Sequence, residues 1–514
     1  MKINFKLFSL LLLTVIFGCK DAIDIDQPGR LTDVRAFESL DDLKTGIYWL
    51  YNNVDTSKDI ALSALYTDEI GIGVASGNQG LSQYDYVLTP SSTASSTFWA
   101  GLYALVNYTN RIIDAAAVYT PTADEQAQYD AIIAHAKALR AFGHLKLLAY
   151  YTPAADYTND SALGVPAIAE TPSVDAQPVR NTVGEVFTAI LADLNAAQGA
   201  IDADLGLAGD ANSYMTSDAI TGVKAIVAIM RQNYSEAFSL SQELVNKYPL
   251  ATAAEYPSIF TDNSDVEVIF KLERTINDSY DGQGSVGSVA AGGWAGAIFC
   301  FSGATSDPYF EVGRALYNQI QDGDVRKTVI AHPSSIVSPD YQNASNYKEE
   351  DVLYVGKYEG SEGQPLMNDL KVLRVAEMYF IHAEAQAAQG DLAGAAATLK
   401  ALNDARFDTD TTAPSFSSLT DALGYIVDQR RIEFAFEGNR YFTLKRLGPA
   451  AGRDAVKDQV DCDLAKIANC SLSSSDYRFT LPIPLIEFNG NPNLRDQQNP
   501  CLLYTSDAAD DGLC

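Results

Sequence analysis

The sequence predicts a mostly α-helical protein built from tetratricopeptide-like helical pairs and interrupted by a long irregular insert of loops and short strands. Apolar residues recur at helical spacing through most of the chain. Two segments place small residues twelve positions apart across a polar turn, and between about 250 and 365 the periodicity gives way to glycine, serine and proline. With 514 residues, 47% hydrophobic and 20% charged, there is ample material for a core. The formal charge of −30 excludes the basic surplus that phosphate neutralisation needs, so nucleic acid is not an expected partner. It also argues against adsorption to anionic lipid through a basic patch. Four histidines, none paired at a ligand spacing, argue against a zinc enzyme, and no metal or cofactor is expected.

At the start of the chain, Lys2 and Lys6 precede the apolar run Leu7 to Phe17, then Gly18 and Cys19. A short basic opening, about ten apolar residues and a small residue mark a secretory signal, and a transmembrane helix would need about twenty. Ile16-Phe17-Gly18-Cys19 resembles a bacterial lipobox, with Phe17 bulkier than that pattern usually takes. The resemblance implies cleavage before Cys19 and acylation of its thiol, so that a lipid anchor is the membrane contact. Two or more acyl chains, at roughly 0.8 kcal/mol per buried methylene, hold stably. The alternative is a plain signal peptide with an incidental cysteine.

Residues 19–500 are read as a single helical domain. From Ile132, the positions Ala136, Leu139, Phe142, Leu145 and Ala149 continue one apolar helix face. Thr182-Val183-Gly184-Glu185 is a capping-box pattern for a helix reaching about Gln198. Ala225 and Ala237 flank the turn at Asn233, and Ala383 and Ala395 flank the turn at Gly390-Asp391. Small residues so placed let two helices approach closely, as in a tetratricopeptide pair. Within the insert, 267–272 (EVIFKL) suits a short strand. The glycine-rich stretch that follows carries Tyr280, Trp294, Phe299 and Phe301, too aromatic for simple disorder. Cys462 and Cys470 lie close enough for a local disulfide in an oxidising compartment, and two free thiols fit the residues as well. The tail 501–514 has no periodicity, a loose acidic run and two cysteines, and is expected to be a non-native end, which the encoding nucleotide sequence would settle.

Residues 430–448, RRIEFAFEGNRYFTLKRLG, resemble the most recognisable motif of the SusD/RagB family of outer-membrane glycan-binding lipoproteins. The matching positions are Arg430, Arg431, Glu433, Glu437, Gly438, Arg440, Leu444, Arg446 and Gly448, with Thr443 departing from the family's aspartate. The closing segment LPIPLIEFNGNPNLRDQQNP is similar to the family's through Pro482, Ile483, Pro484, Glu487, Asn491, Pro492, Leu494, Asn499 and Pro500. Phe98-Trp99, Leu102-Tyr103, Asn110 and Lys137 to Ala141 resemble its N-terminal helices, so the resemblance spans roughly 19–500. It implies a surface-exposed, lipid-anchored outer-membrane protein without catalytic residues. Such a protein would capture oligosaccharides and act as a lid over a SusC-type TonB-dependent transporter.

Glu433 and Glu437 stand one helical turn apart, as a paired-carboxylate glycosidase could use. Arg430, Arg431 and Arg440 lie at helical spacings from them, so the set reads instead as a salt-bridge network locking helices together. Trp49 and Trp99 sit on apolar helical stripes and are expected in the core. Trp294, within Gly292-Gly293-Trp294-Ala295-Gly296, has no helical neighbours in sequence and is expected on a sugar platform, with Tyr280, Phe299 and Phe301 on the same surface. A tryptophan folded under its own loop is the alternative. A second loop, through Gly71-Ile72-Gly73 to Gly80, offers Asn78 and Gln79 to sugar hydroxyls, with Asp68 and Glu69 anchoring its base. The rival readings are a peptide-cargo binder of the same family, a tetratricopeptide scaffold, and a surface glycosidase using Glu433 and Glu437.

Overall fold

The computed structural model describes residues 36–275, 277–278, 285–286, 289–290, 293–299, 308–344 and 350–499. The signal segment, Cys19 and the tail 501–514 lie outside them. The first described helix, α1 (Leu40–Asn53), begins where Ser39 and Asp42 form a reciprocal capping box. It is followed by α2 (Ser57–Tyr66) and the short strand β1 (Ile70–Ile72). Two helices of 26 residues come next, α3 (Thr93–Val118) and α4 (Gln126–Tyr151). The face predicted from Ile132 to Ala149 is buried along its whole length in α4. The capping box at Thr182 and Glu185 opens α5, which runs Val183–Gln198 as its sequence indicates.

The two pairs with small residues at their turns are both helical hairpins. One is α6 (Ser217–Met230) with α7 (Tyr234–Lys247). After the insert strand β2 (Val268–Leu272), the short helix α8 (Trp294–Phe299), β3 (Phe310–Val312) and β4 (Leu370–Arg374) comes the other, α9 (Val375–Ala388) with α10 (Leu392–Phe407). Ala225, Ala237, Ala383 and Ala395 are all fully buried, and α7 packs on α9, so the hairpins stack into one array. The chain then adds α11 (Leu419–Glu433), α12 (Arg440–Ala451) and α13 (Gln459–Ala465). A disulfide joins Cys462 to Cys470, beside the antiparallel pairing of 455–456 with 471–472.

The insert folds back on the helical array through two ladders. β2 pairs antiparallel with β4, and β1 pairs antiparallel with β3, Ile70 opposite Val312. The second ladder joins residues 238 to 242 positions apart, and it brings the N-terminal loop against the insert. Trp99 is buried as expected. Trp49 is not: it is 44% exposed, a correction to the core reading. The buried stripe of α1 runs through Leu43, Ile47, Leu50 and Tyr51, which turns Tyr48 and Trp49 to solvent.

Candidate functional site

The loop after β1 is fastened to the insert at several points. Gly73 N–H donates to Tyr309 O at 2.8 Å and Ala75 N–H to Pro308 O at 3.2 Å. A Cβ on Gly73 would stand 2.2 Å from Pro308 O, so only glycine permits the approach. Asn78, at φ +68°, and Gln79 are both exposed at the loop's tip, where Ser76 receives the N–H of Gln79 on its carbonyl. Both residues are therefore exposed on a loop fastened to the insert.

The loop's base is held by buried carboxylates. Asp68 accepts from Arg440 Nε at 2.8 Å and Nη2 at 2.9 Å and lies 3.3 Å from Arg431 Nη2. Burial works to raise its pKa, but the two guanidiniums prevail and hold it well below the usual carboxylate range. For Glu69 burial outweighs the pull of Arg440. Glu69 accepts from Phe436 N–H at 3.1 Å and Ser63 Oγ at 2.9 Å, and burial pushes it up to about 7. Asp461, on α13, is likewise raised to about 7 by burial while it accepts Arg314 N–H at 2.8 Å; its carboxylate sits against Gly71 of β1.

Glu433 and Glu437 do enter a salt-bridge network, but with other partners than the spacing indicates. Glu433 is fully buried and accepts from Arg374 Nη1, Arg406 Nε and Arg406 Nη2, each at 2.9 Å, and from Arg326 Nη1 at 3.3 Å. Glu437 takes Arg374 Nε at 2.9 Å and Nη2 at 2.8 Å and pairs with Lys357. Glu267 and Asp324 complete the set, on Arg374 and Arg406 and on Arg326 respectively. Arg430 turns instead to Thr443 Oγ1 at 3.0 Å and Glu377 at 2.9 Å, while Arg431 and Arg440 reach back to Asp68. Gly438, at φ +82°, makes the turn between α11 and α12 where a Cβ would press on the backbone of Asp59 and Ile60. Burial opposes ionisation of both glutamates, yet the cations around them lower both pKa values. A general acid needs a raised pKa and access to substrate. Glu433 has neither, and Glu437, which borders a cleft, has its pKa lowered rather than raised, so the pair does not suit a glycosidase.

Trp294 is a second correction. It opens α8 with no exposed surface, donates Nε1–H to Asn368 O at 2.6 Å, and packs edge-on against Tyr358 at 4.4 Å. A Cβ on Gly293 would overlap Leu366 O at 1.7 Å, so this glycine marks close packing rather than loop freedom. Phe299 is buried against Phe436 at 5.3 Å. Neither forms a platform, and Tyr280 and Phe301 lie outside the described residues. Arg374, Arg406, Glu267, Arg326 and Lys357 were not apparent as a set from the sequence. The available signal was charge within apolar runs, as at Arg374 in LKVLRVAEMYF.

Two family models match the chain. One, described as the SusD family, covers residues 332–501; the other, described as starch-binding and associating with outer membrane, covers 22–222. A SusD-like protein of Formosa agariphila is 23% identical over 535 aligned positions, spanning 95% of this chain and 98% of its own. A SusD superfamily structure from Bacteroides thetaiotaomicron superposes with a TM-score of 0.72 at 21% identity, covering 90% of this chain and 100% of that one. A laminarin-binding SusD-like protein gives 0.64 at 20% identity, covering 90% and 99%. At these identities the structural matches establish a shared fold.

Proposed function

Given that the chain belongs to the SusD/RagB family, we propose that it is a non-catalytic glycan-binding lipoprotein. Anchored through Cys19 and exposed at the cell surface, it would capture oligosaccharides and close as a lid over a SusC-type TonB-dependent transporter. The observation that carries this reading is the exposed pair Asn78 and Gln79 on a loop tied to the insert by the β1–β3 ladder. Side-chain amides both donate to and accept from sugar hydroxyls, and a rigidly held loop limits the entropy lost on binding. Trp294 and Phe299 are buried, so neither contributes an aromatic face to this surface.

A lid has to release its cargo, so dissociation constants between about 1 mM and 1 µM are expected, roughly −4 to −8 kcal/mol. The acidic balance favours neutral glycans over uronates or sulfated chains, which it repels. The test is native affinity electrophoresis of the chain from Lys20 through laminarin, amylopectin and xylan gels. Laminarin is included because a structural neighbour is described as binding it. Retardation by one glycan, weakened in Asn78→Ala/Gln79→Ala, is the expected result. A folded protein that no glycan retards would turn the reading toward peptide cargo or scaffolding.

A further inference from the structure

The exposed side of α1 has an unusual composition for so acidic a chain. Tyr48 (40% exposed) and Trp49 (44%) are followed one turn later by Asn52 and Asn53, also exposed. Tyr108, on the neighbouring α3, is 43% exposed, and its ring lies 4.8 Å from that of Trp49 at 81°. Between Lys44 and the end of α1 the helix carries no charged residue. Both helices are well fixed, since α1 buries Leu43, Ile47 and Leu50 and packs on α3.

Asn53, whose Nδ2–H donates to Trp49 O at 2.7 Å, leads from this aromatic pair to open space beside α3. Along α3, Gly101 and Ala104 are exposed, and a Cβ on Gly101 would meet nothing within 4 Å. A cleft of ≈ 110 Å³ continues from there, lined by Asn53, Asp55, Lys58, Thr97 and Gly101 among others. Clustered exposed aromatics on a rigid surface mark a binding face. The chemistry here is that of a saccharide site: an indole for the apolar C–H face of a pyranose, and amide, carboxylate and ammonium groups for its hydroxyls.

We propose that the Trp49–Tyr108 pair and the adjoining cleft form a second carbohydrate site, for a neutral saccharide. It is carried by elements other than the loop after β1. The proposal rests on the glycan-binding reading and extends it: two sites on one chain let a polysaccharide bind with higher avidity than either site alone.

The tryptophans supply the test. Trp99 is 3% exposed and Trp294 0%, so acrylamide quenching of the native protein reports on Trp49. The chain from Lys20 is titrated with oligosaccharides of laminarin, amylopectin and xylan while quenching is followed. The glycan that retards the protein should protect Trp49, and Tyr108→Ala should raise the concentration needed by about tenfold, the equivalent of about 1.4 kcal/mol. Protection should persist in Asn78→Ala/Gln79→Ala. Retardation with unchanged quenching would overturn the second site and leave the loop site standing, whereas no retardation by any glycan would overturn both. Protection by a purified transporter barrel and by no sugar would overturn it also, assigning this face to a protein partner.

Discussion

Replacing Glu433 with glutamine removes one negative charge from a network in which cations and anions balance. Arg326, Arg374, Arg406 and Lys357 stand against Asp324, Glu267, Glu433 and Glu437. The side chains of Glu433 and Arg406 are 0% exposed and that of Arg374 is 1% exposed, so solvent cannot neutralise the excess. Breaking such a buried pair costs about 3–5 kcal/mol. A chain of this length unfolds with an entropy near 1 kcal/mol per degree, so Tm should fall by about 3–5 °C. Scanning calorimetry on wild type and Glu433→Gln measures this directly. The folded pKa of Glu433 is depressed, so its contribution is complete above the unfolded value of 4.5 and is lost as pH falls through the folded value. The gap between wild type and variant should therefore hold at pH 7 and close progressively in acid below pH 4.5. A fall of less than about 1 °C at pH 7, or a gap that ignores pH, would refute the view that this motif locks the scaffold.

Three further outcomes follow from the same reasoning. Trp294→Ala should cost about 3–5 kcal/mol of stability by emptying a buried site, yet leave glycan retardation intact below the melting transition; the reverse pattern would restore the platform reading. Asp461 titrates near 7 when folded, so its stabilising contribution is complete below pH 3.8 and is lost as pH rises through 7. Asp461→Asn should thus melt about 2–4 °C above wild type at pH 8 and level with it at pH 4, and equal shifts at both would contradict the assignment. Cys462→Ser should lower stability by about 2–3 kcal/mol through release of a short closed loop, a difference that a reductant strong enough to open the bond in wild type erases.

Helices with clean periodicity were legible in the sequence, as were the capped start at Thr182 and the small-residue turns of the two hairpins. Local spacing determines those features. Trp49 was misread because Ile47-Tyr48-Trp49-Leu50 is apolar throughout, and only packing on α3 and α4 reveals which edge of that run faces water. Trp294 was misread because glycines beside a tryptophan suggest a free loop, whereas Gly293 is there to let Leu366 come close. The motif's acids were recognised as scaffold, but their partners come from β4 and α10, more than 25 residues away, where helical spacing carries no information. Of the candidate site, the loop bearing Asn78 and Gln79 and its carboxylate anchors were legible. The β1–β3 ladder that supports them joins segments no local pattern connects.

We propose that this chain binds glycan without cleaving it. Isothermal titration with an oligosaccharide of the retarding polysaccharide, followed by chromatography of the recovered sugar, tests both halves at once. Saturable heat with a dissociation constant between about 1 µM and 1 mM, and sugar recovered at its original length, is the predicted result. Shortened products, or no heat with any glycan from a protein that melts cooperatively, would contradict it.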